Sequence, residues 1–124
     1  MTPQPIVLLV DDDDAIRETV SECLCAEGYD VRAFAHGAEA LEWLGRGERP
    51  SVVVLDLVMP VMNGAELLAR LRATPALRDL PVVLMTAAIP TPGHPAPAAD
   101  TILTKPFELD QLLDAVARHV GLAA

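Results

Sequence analysis

The stretch "LLVDDDD", residues 8–14, carries an apolar run directly into four consecutive aspartates. Side chains alternate along a strand and then rotate as the chain turns, so only about two or three of these carboxylates can converge on one point, where they repel one another. Two readings are open here. One is a solvated turn in which Asp13 or Asp14 caps a helix that begins with Ala15, Ile16 and Arg17. The other is a cluster arranged around something positive. The stretch by itself favours the turn, and partners elsewhere in the chain are needed to make it a site.

The run before the aspartates, 5–10, is nearly unbroken in apolar character, as expected of a central parallel strand covered on both faces. Beyond them, Ile16, Val20, Cys23 or Leu24, and Glu27 keep helical spacing until Gly28 stops the helix. The unit then repeats. A strand over 29–34 leads to a helix over about 38–44, which ends in Gly45, Arg46 and Gly47. The third strand, 51–55, is closed by Asp56 and followed by a helix over 64–73 with Leu67, Leu68 and Leu71 inward. Residues 81–85 form a fourth strand closed by Thr86, and 101–104 a fifth closed by Lys105. Leu109, Leu112, Leu113, Val116 and Val120 mark an amphipathic final helix. Strands alternating with helices predict an α/β fold with a parallel sheet and right-handed crossovers.

Composition narrows the function. The 124 residues predict one domain, 1–124, able to bury a core without disulfides or metal staples. Hydrophobic residues make up 52%, yet their runs are far shorter than the roughly 18 residues that would span a bilayer, so no membrane segment is expected. The N-terminus does not read as a signal peptide, and the expected location is cytoplasmic. Cys23 and Cys25 lie two apart on a helix and face different sides, which argues against a disulfide or a metal pair. With 18 acidic and 9 basic residues the net charge is −9, and such a field repels phosphate backbones, so direct nucleic-acid binding is not expected.

In open parallel α/β sheets the functional crevice lies beyond the carboxyl ends of the strands. Asp11 and Asp12 end the first strand, Asp56 the third, Thr86 the fourth and Lys105 the fifth, so these five polar groups gather at one edge. Three carboxylates form a hard-oxygen site suited to a small divalent cation, while an ammonium and a hydroxyl can hold an anion opposite.

Together with "VDDD" at 10–13, "AHGAEALEWL" at 35–44, "VLDLVMPVMNG" at 54–64, "LMTA" at 84–87 and "LTKPF" at 103–107, these residues make the chain resemble the receiver domain of two-component response regulators. The resemblance covers nearly the whole chain. It implies a doubly wound flavodoxin-type fold with five parallel strands in the order 2-1-3-4-5. It further implies that Asp56 accepts a phosphoryl group from a phosphohistidine on a sensor histidine kinase or phosphotransfer protein, and that a downstream protein reads the result. Asp11 and Asp12 match the acidic pair that holds Mg²⁺, with Asp56 and the backbone carbonyl of Val58 as further ligands. Thr86 matches the hydroxyl that bonds the phosphoryl oxygen, and Lys105 the lysine that pairs with it. A cis peptide is expected between Lys105 and Pro106.

Two departures from the family pattern stand out. The segment "AAIPTPGHPAPAAD", 87–100, holds Pro90, Pro92, Pro95 and Pro97, so the family's fourth helix, between the fourth and fifth strands, is expected to be missing or irregular, with 88–98 an extended or mobile loop. Three residues before Lys105 stands Ile102, where the family carries a tyrosine or phenylalanine, so the usual output face is expected to be remodelled. His36, His94 and His119 read as isolated, without a chemical role, and Trp43 reads as helix packing.

Two rival functions remain. A phosphatase of the haloacid-dehalogenase type also uses an aspartyl phosphate, Mg²⁺, a hydroxyl and a lysine, but it keeps its nucleophile in an Asp-x-Asp on the first strand and needs a cap or a longer chain. A degenerate receiver would act as a phosphorylation-independent binding module, although all five key residues are present here. The signalling module is therefore the expected function, one that catalyses only its own phosphorylation and dephosphorylation. No DNA-binding, kinase or cyclase segment is read in the sequence, which fits either a stand-alone receiver or a part of a longer protein.

Overall fold

The computed structural model describes residues 4–57, 64–87 and 99–123. In chain order the elements are β1 (Ile6–Val10), α1 (Asp14–Ala26), β2 (Asp30–Phe34), α2 (Gly37–Gly45), β3 (Val52–Asp56), α3 (Gly64–Ala73), β4 (Val82–Thr86), β5 (Thr101–Thr104) and α4 (Leu109–Ala123). All strand pairings are parallel, in the order β2-β1-β3-β4-β5. Four helices stand among the described residues. The segment 88–98, where the sequence predicts a proline-bearing loop in place of a helix, lies outside them, as does His94.

The sheet is covered on both faces, which explains the unbroken apolar runs of its central strands β1, β3 and β4. Alternate residues face opposite sides. Leu8, Val10, Val53, Leu55, Val82 and Leu84 pack with Trp43, Leu67, Leu68 and Leu71 of α2 and α3. Val7, Leu9, Val52, Val54, Val83 and Met85 pack with Val20 and Leu24 of α1 and with Leu112, Ala115 and Val116 of α4. Trp43 does belong to the helix packing, tilted against Phe34 with ring centroids 6.1 Å apart.

The helix boundaries have local chemical causes. Asp13 caps α1, its side chain accepting from the Ile16 N–H at 3.1 Å. At the other end Gly28 takes φ +94°, a left-handed conformation that costs glycine little, and donates to the Cys25 carbonyl while Tyr29 donates to that of Leu24. The chain thereby reverses into β2 with the last helical carbonyls satisfied. Cys23 and Cys25 are free thiols.

Two side chains, His119 and Leu109, differ from expectation. His119 is not isolated: it is buried in α4, and its Nε2 lies 2.7 Å from Thr101 Oγ1 in β5, because a polar ring inside the α4–β5 contact needs a partner. Leu109, expected inward, is 39% exposed; as the first residue of α4 it stands at the rim of an apolar groove with Ile16, Val20 and Phe107. Ile102 is half-buried and packs against the α2/α3 side of the core.

Candidate functional site

The register of the sheet assembles the site. Val10 pairs with Leu55, so the next residues, Asp11 and Asp56, come to the same level at the carboxyl edge. Asp56 pairs with Met85, and Thr86 pairs with Thr104, which places Thr86 one step and Lys105 two steps further along the same edge. Asp11 continues the parity of Val7 and Leu9, Asp56 that of Val52 and Val54, and Lys105 that of Leu103, which all belong to the face packed by α1 and α4. The edge is held by backbone bonds: Asp11 N–H donates to the Phe34 carbonyl, Leu57 N–H to that of Met85, and Lys105 N–H to that of Thr86. The Lys105–Pro106 peptide is cis, as the sequence predicts.

One carboxylate oxygen from each of Asp11, Asp12 and Asp56 lies within 4.8 Å of the others. Asp11 and Asp56 are buried and Asp12 is half-buried. The Lys105 ammonium donates to Asp56 Oδ1 at 3.4 Å. Thr86 is buried at the same edge. Asp11 Oδ1 accepts from the Asp13 N–H at 2.9 Å, whereas Asp11 Oδ2 is buried with no hydrogen-bond partner. Burial, reinforced by the neighbouring charges of Asp56 and Asp12, pushes the Asp11 carboxyl up to about 6; the Asp13 amide bond and Lys105 pull the other way.

The structure thus brings together Asp11, Asp12, Asp56, Thr86 and Lys105. Val58, expected to offer a backbone carbonyl, lies outside the described residues. A buried acceptor without a donor and a carboxyl raised by its surroundings are what a cation would relieve, and oxygen donors suit a hard divalent ion. The residues present fit Mg²⁺ in that sense.

Two residues escaped the sequence reading. Gly64, the first residue of α3, donates its N–H to the Leu57 carbonyl, and a Cβ there would meet Asp56 O at 2.3 Å and Leu57 Cα at 2.7 Å. Only glycine lets α3 approach the end of β3 this closely. Arg17, on α1, donates through Nη1 to the backbone carbonyl of Asp11 at 2.9 Å and through Nη2 to Asp14 Oδ1 at 2.6 Å. A pairing of Arg17 with Asp14 could have been read from the three-residue spacing; the carbonyl contact leaves no sequence signal.

Known proteins share this pattern. The sequence pattern of the response regulator receiver domain matches residues 7–117. Response regulator MprA of Mycobacterium leprae is 41% identical over 110 residues, 86% of this chain and 47% of that protein. Its counterpart in Mycolicibacterium vanbaalenii is 40% identical over the same length, so the chain spans about half the length of the curated relatives it matches. Among solved structures, the signal receiver domain of a signal transduction histidine kinase from Syntrophus aciditrophicus superposes with a TM-score of 0.86 at 30% identity, covering 94% of this chain and 90% of that one. The chemotaxis response regulator CheY4 of Vibrio cholerae gives 0.82 at 33% identity, covering 94% and 99%. With the strand order, the acidic edge and the lysine opposite it already established, these matches settle the family: the chain belongs to the response regulator receiver domains of two-component systems.

Proposed function

We propose that this receiver accepts a phosphoryl group on Asp56 from a phosphohistidine of a sensor histidine kinase or phosphotransfer protein, in a Mg²⁺-dependent reaction, and thereby switches a surface read by a downstream protein. The observation that carries this reading is the convergence of Asp11, Asp12 and Asp56 on one point, with the Lys105 ammonium on Asp56 and Asp11 Oδ2 left without a donor.

In the reaction a carboxylate oxygen of Asp56 forms a bond to phosphorus as the phosphorus–nitrogen bond of the donor breaks in line with it, and the departing imidazole nitrogen recovers a proton from solvent. Lys105 stands where its ammonium can follow the negative charge from the carboxylate to a phosphoryl oxygen. Thr86, on the neighbouring strand end, supplies the hydroxyl that bonds a second phosphoryl oxygen. Asp11, Asp12 and Asp56 would hold Mg²⁺, with the Val58 carbonyl as a further ligand. The ion, when bound, neutralises the carboxylates and the charge spread over the phosphoryl oxygens. Burial of Asp56 and Asp11 keeps competing water away from these charges.

The chain turns over no metabolite in this reading: its chemistry is its own phosphorylation and dephosphorylation. Residues 1–124 act as one receiver domain. No helix among the described residues is long and apolar enough to cross a membrane, and the net charge of −9 disfavours nucleic acid, so the partners are proteins met in the cytoplasm. Incubation with acetyl phosphate or phosphoramidate and Mg²⁺ tests the proposal. Intact mass should rise by one phosphoryl group in the wild type and stay unchanged in Asp56→Asn. Failure to gain mass with any small donor or kinase would instead leave a phosphorylation-independent binding module, and release of phosphate from many unrelated esters would indicate a phosphatase.

A further inference from the structure

Asp11 and Asp12 lie on the turn between β1 and α1, which a set of hydrogen bonds among the described residues holds in place. The Asp11 N–H is held by the Phe34 carbonyl on β2. Asp11 Oδ1 is held by the Asp13 N–H. Asp13 in turn caps α1 with its side chain and accepts from the Arg17 N–H with its carbonyl. The carbonyl of Asp11 remains, and it belongs to the same peptide plane as the Asp12 N–H. The direction of that carbonyl therefore sets where the Asp12 side chain leaves the backbone. Its donor is the guanidinium of Arg17, six residues on and one turn into α1.

We infer that Arg17 is a positioning residue for the metal carboxylates, holding the Asp11–Asp12 peptide so that both side chains meet Asp56. The inference rests on the proposed Mg²⁺ site. The planar fork of arginine suits the role: Nη1 binds the Asp11 carbonyl while Nη2 is anchored on Asp14. The Arg17 side chain is only 23% exposed, whereas that of Asp14 is 88% exposed, so the guanidinium is fixed from the protein side and the ion pair is its outer anchor. Groups that orient metal ligands without touching the ion typically change metal affinity by about 10- to 100-fold when removed.

The alternative, a helix-surface ion pair beside the site, predicts the opposite sign. A positive charge near three carboxylates repels a divalent cation, so removing it for electrostatic reasons alone tightens Mg²⁺ binding. Loss of positioning weakens it. Calorimetric Mg²⁺ titration of the wild type, Arg17→Met, Arg17→Lys and Asp14→Asn separates the two. Arg17→Met should bind about tenfold more weakly, Arg17→Lys should lie between it and the wild type because an ammonium can keep the carbonyl contact, and Asp14→Asn should match the wild type. In metal-free protein the Asp13 amide, bonded to Asp11 Oδ1, should exchange its hydrogen faster in Arg17→Met than in the wild type. Unchanged or tighter binding by Arg17→Met, equal losses in Asp14→Asn and Arg17→Met, or an unchanged Asp13 exchange rate would each overturn the positioning role. Absence of Mg²⁺ binding by the wild type would contradict the proposed function, and the Asp13 exchange rates would still decide the role of Arg17. If Arg17→Met does not fold, the same comparisons are made with Arg17→Lys.

Discussion

The Lys105 ammonium rests 3.4 Å from Asp56 Oδ1, linking the end of β5 to the end of β3 across the intervening strand β4. Asp56 is buried and Lys105 keeps part of its side chain in solvent, so the pair meets solvent on the lysine side. In the metal-free molecule Lys105 offsets part of the charge that Asp11, Asp12 and Asp56 accumulate. It thereby competes electrostatically with any cation bound between them.

Replacement of Lys105 by Met therefore has two effects of opposite sign. Mg²⁺ binds a few-fold more tightly, because a nearby positive charge is gone. Phosphoryl uptake from phosphoramidate slows on the order of a hundredfold, the usual effect of deleting one donor that follows transition-state charge. Titration calorimetry and timed intact-mass measurements read the two quantities separately. Weaker Mg²⁺ binding in this variant would show that Lys105 supports the acidic cluster structurally.

The four consecutive aspartates divide their labour, and substitution by Asn separates them. Asp12→Asn removes a charge from the cluster and should abolish measurable Mg²⁺ affinity or reduce it by at least about tenfold. Asp13→Asn keeps an oxygen that can cap α1, since Asn serves as well as Asp at that position, so both Mg²⁺ affinity and stability should stay near wild type. A larger loss of affinity in Asp13→Asn would mean that the cluster is centred one residue later.

Asp11 gives the metal-free protein a distinctive pH dependence. Its folded-state value of about 6 lies above the ordinary carboxylate value of 3.8. Between the two the folded chain holds more protons than the unfolded one, so this group's contribution to stability falls as pH rises through that window. The full loss is about 3 kcal/mol. Chemical denaturation from pH 4 to 7 should show wild type losing stability relative to Asp11→Asn, with the variant the more stable at neutral pH. Mg²⁺ at pH 7 should restore the wild type and leave Asp11→Asn little changed. A constant difference between the two proteins across this range would contradict the account of Asp11.

Gly64→Ala places a methyl group against the backbone of Asp56 and Leu57. Neither atom is the tip of a flexible side chain, so α3 or the end of β3 must move, at about 1–3 kcal/mol or more. The Asp56 carbonyl moves with it, and the proposed uptake of phosphoryl should fall together with the thermal midpoint. An alanine variant with wild-type stability and uptake would show that the chain accommodates this contact freely.

The architecture was legible because the three central strands β1, β3 and β4 are buried on both faces: their apolar runs are unbroken, and each is closed by a polar residue at the carboxyl edge of the sheet. Strand limits read from sequence fall within about one residue of those observed, since polar closure and strand end coincide at Asp56 and Thr86. The five residues expected at the edge converge because parallel register places strand ends side by side. Contacts without periodicity were not legible. The bond from Arg17 to the Asp11 carbonyl joins a side chain to a backbone atom, the approach of α3 to β3 at Gly64 depends on interelement distance, and the His119–Thr101 bond joins two elements 18 residues apart. None of these leaves a pattern in composition or spacing.

In the proposed reaction Asp56 takes up a phosphoryl group with the help of the acidic pair and Lys105. Acid-quenched peptide mapping of protein incubated with phosphoramidate measures it most directly, with and without Mg²⁺. A single phosphoryl group is expected on the peptide containing Asp56, present with Mg²⁺, strongly reduced when the ion is chelated, and absent from Asp56→Asn. A phosphoryl group on any other peptide, or labelling of Asp56→Asn equal to that of the wild type, would contradict it.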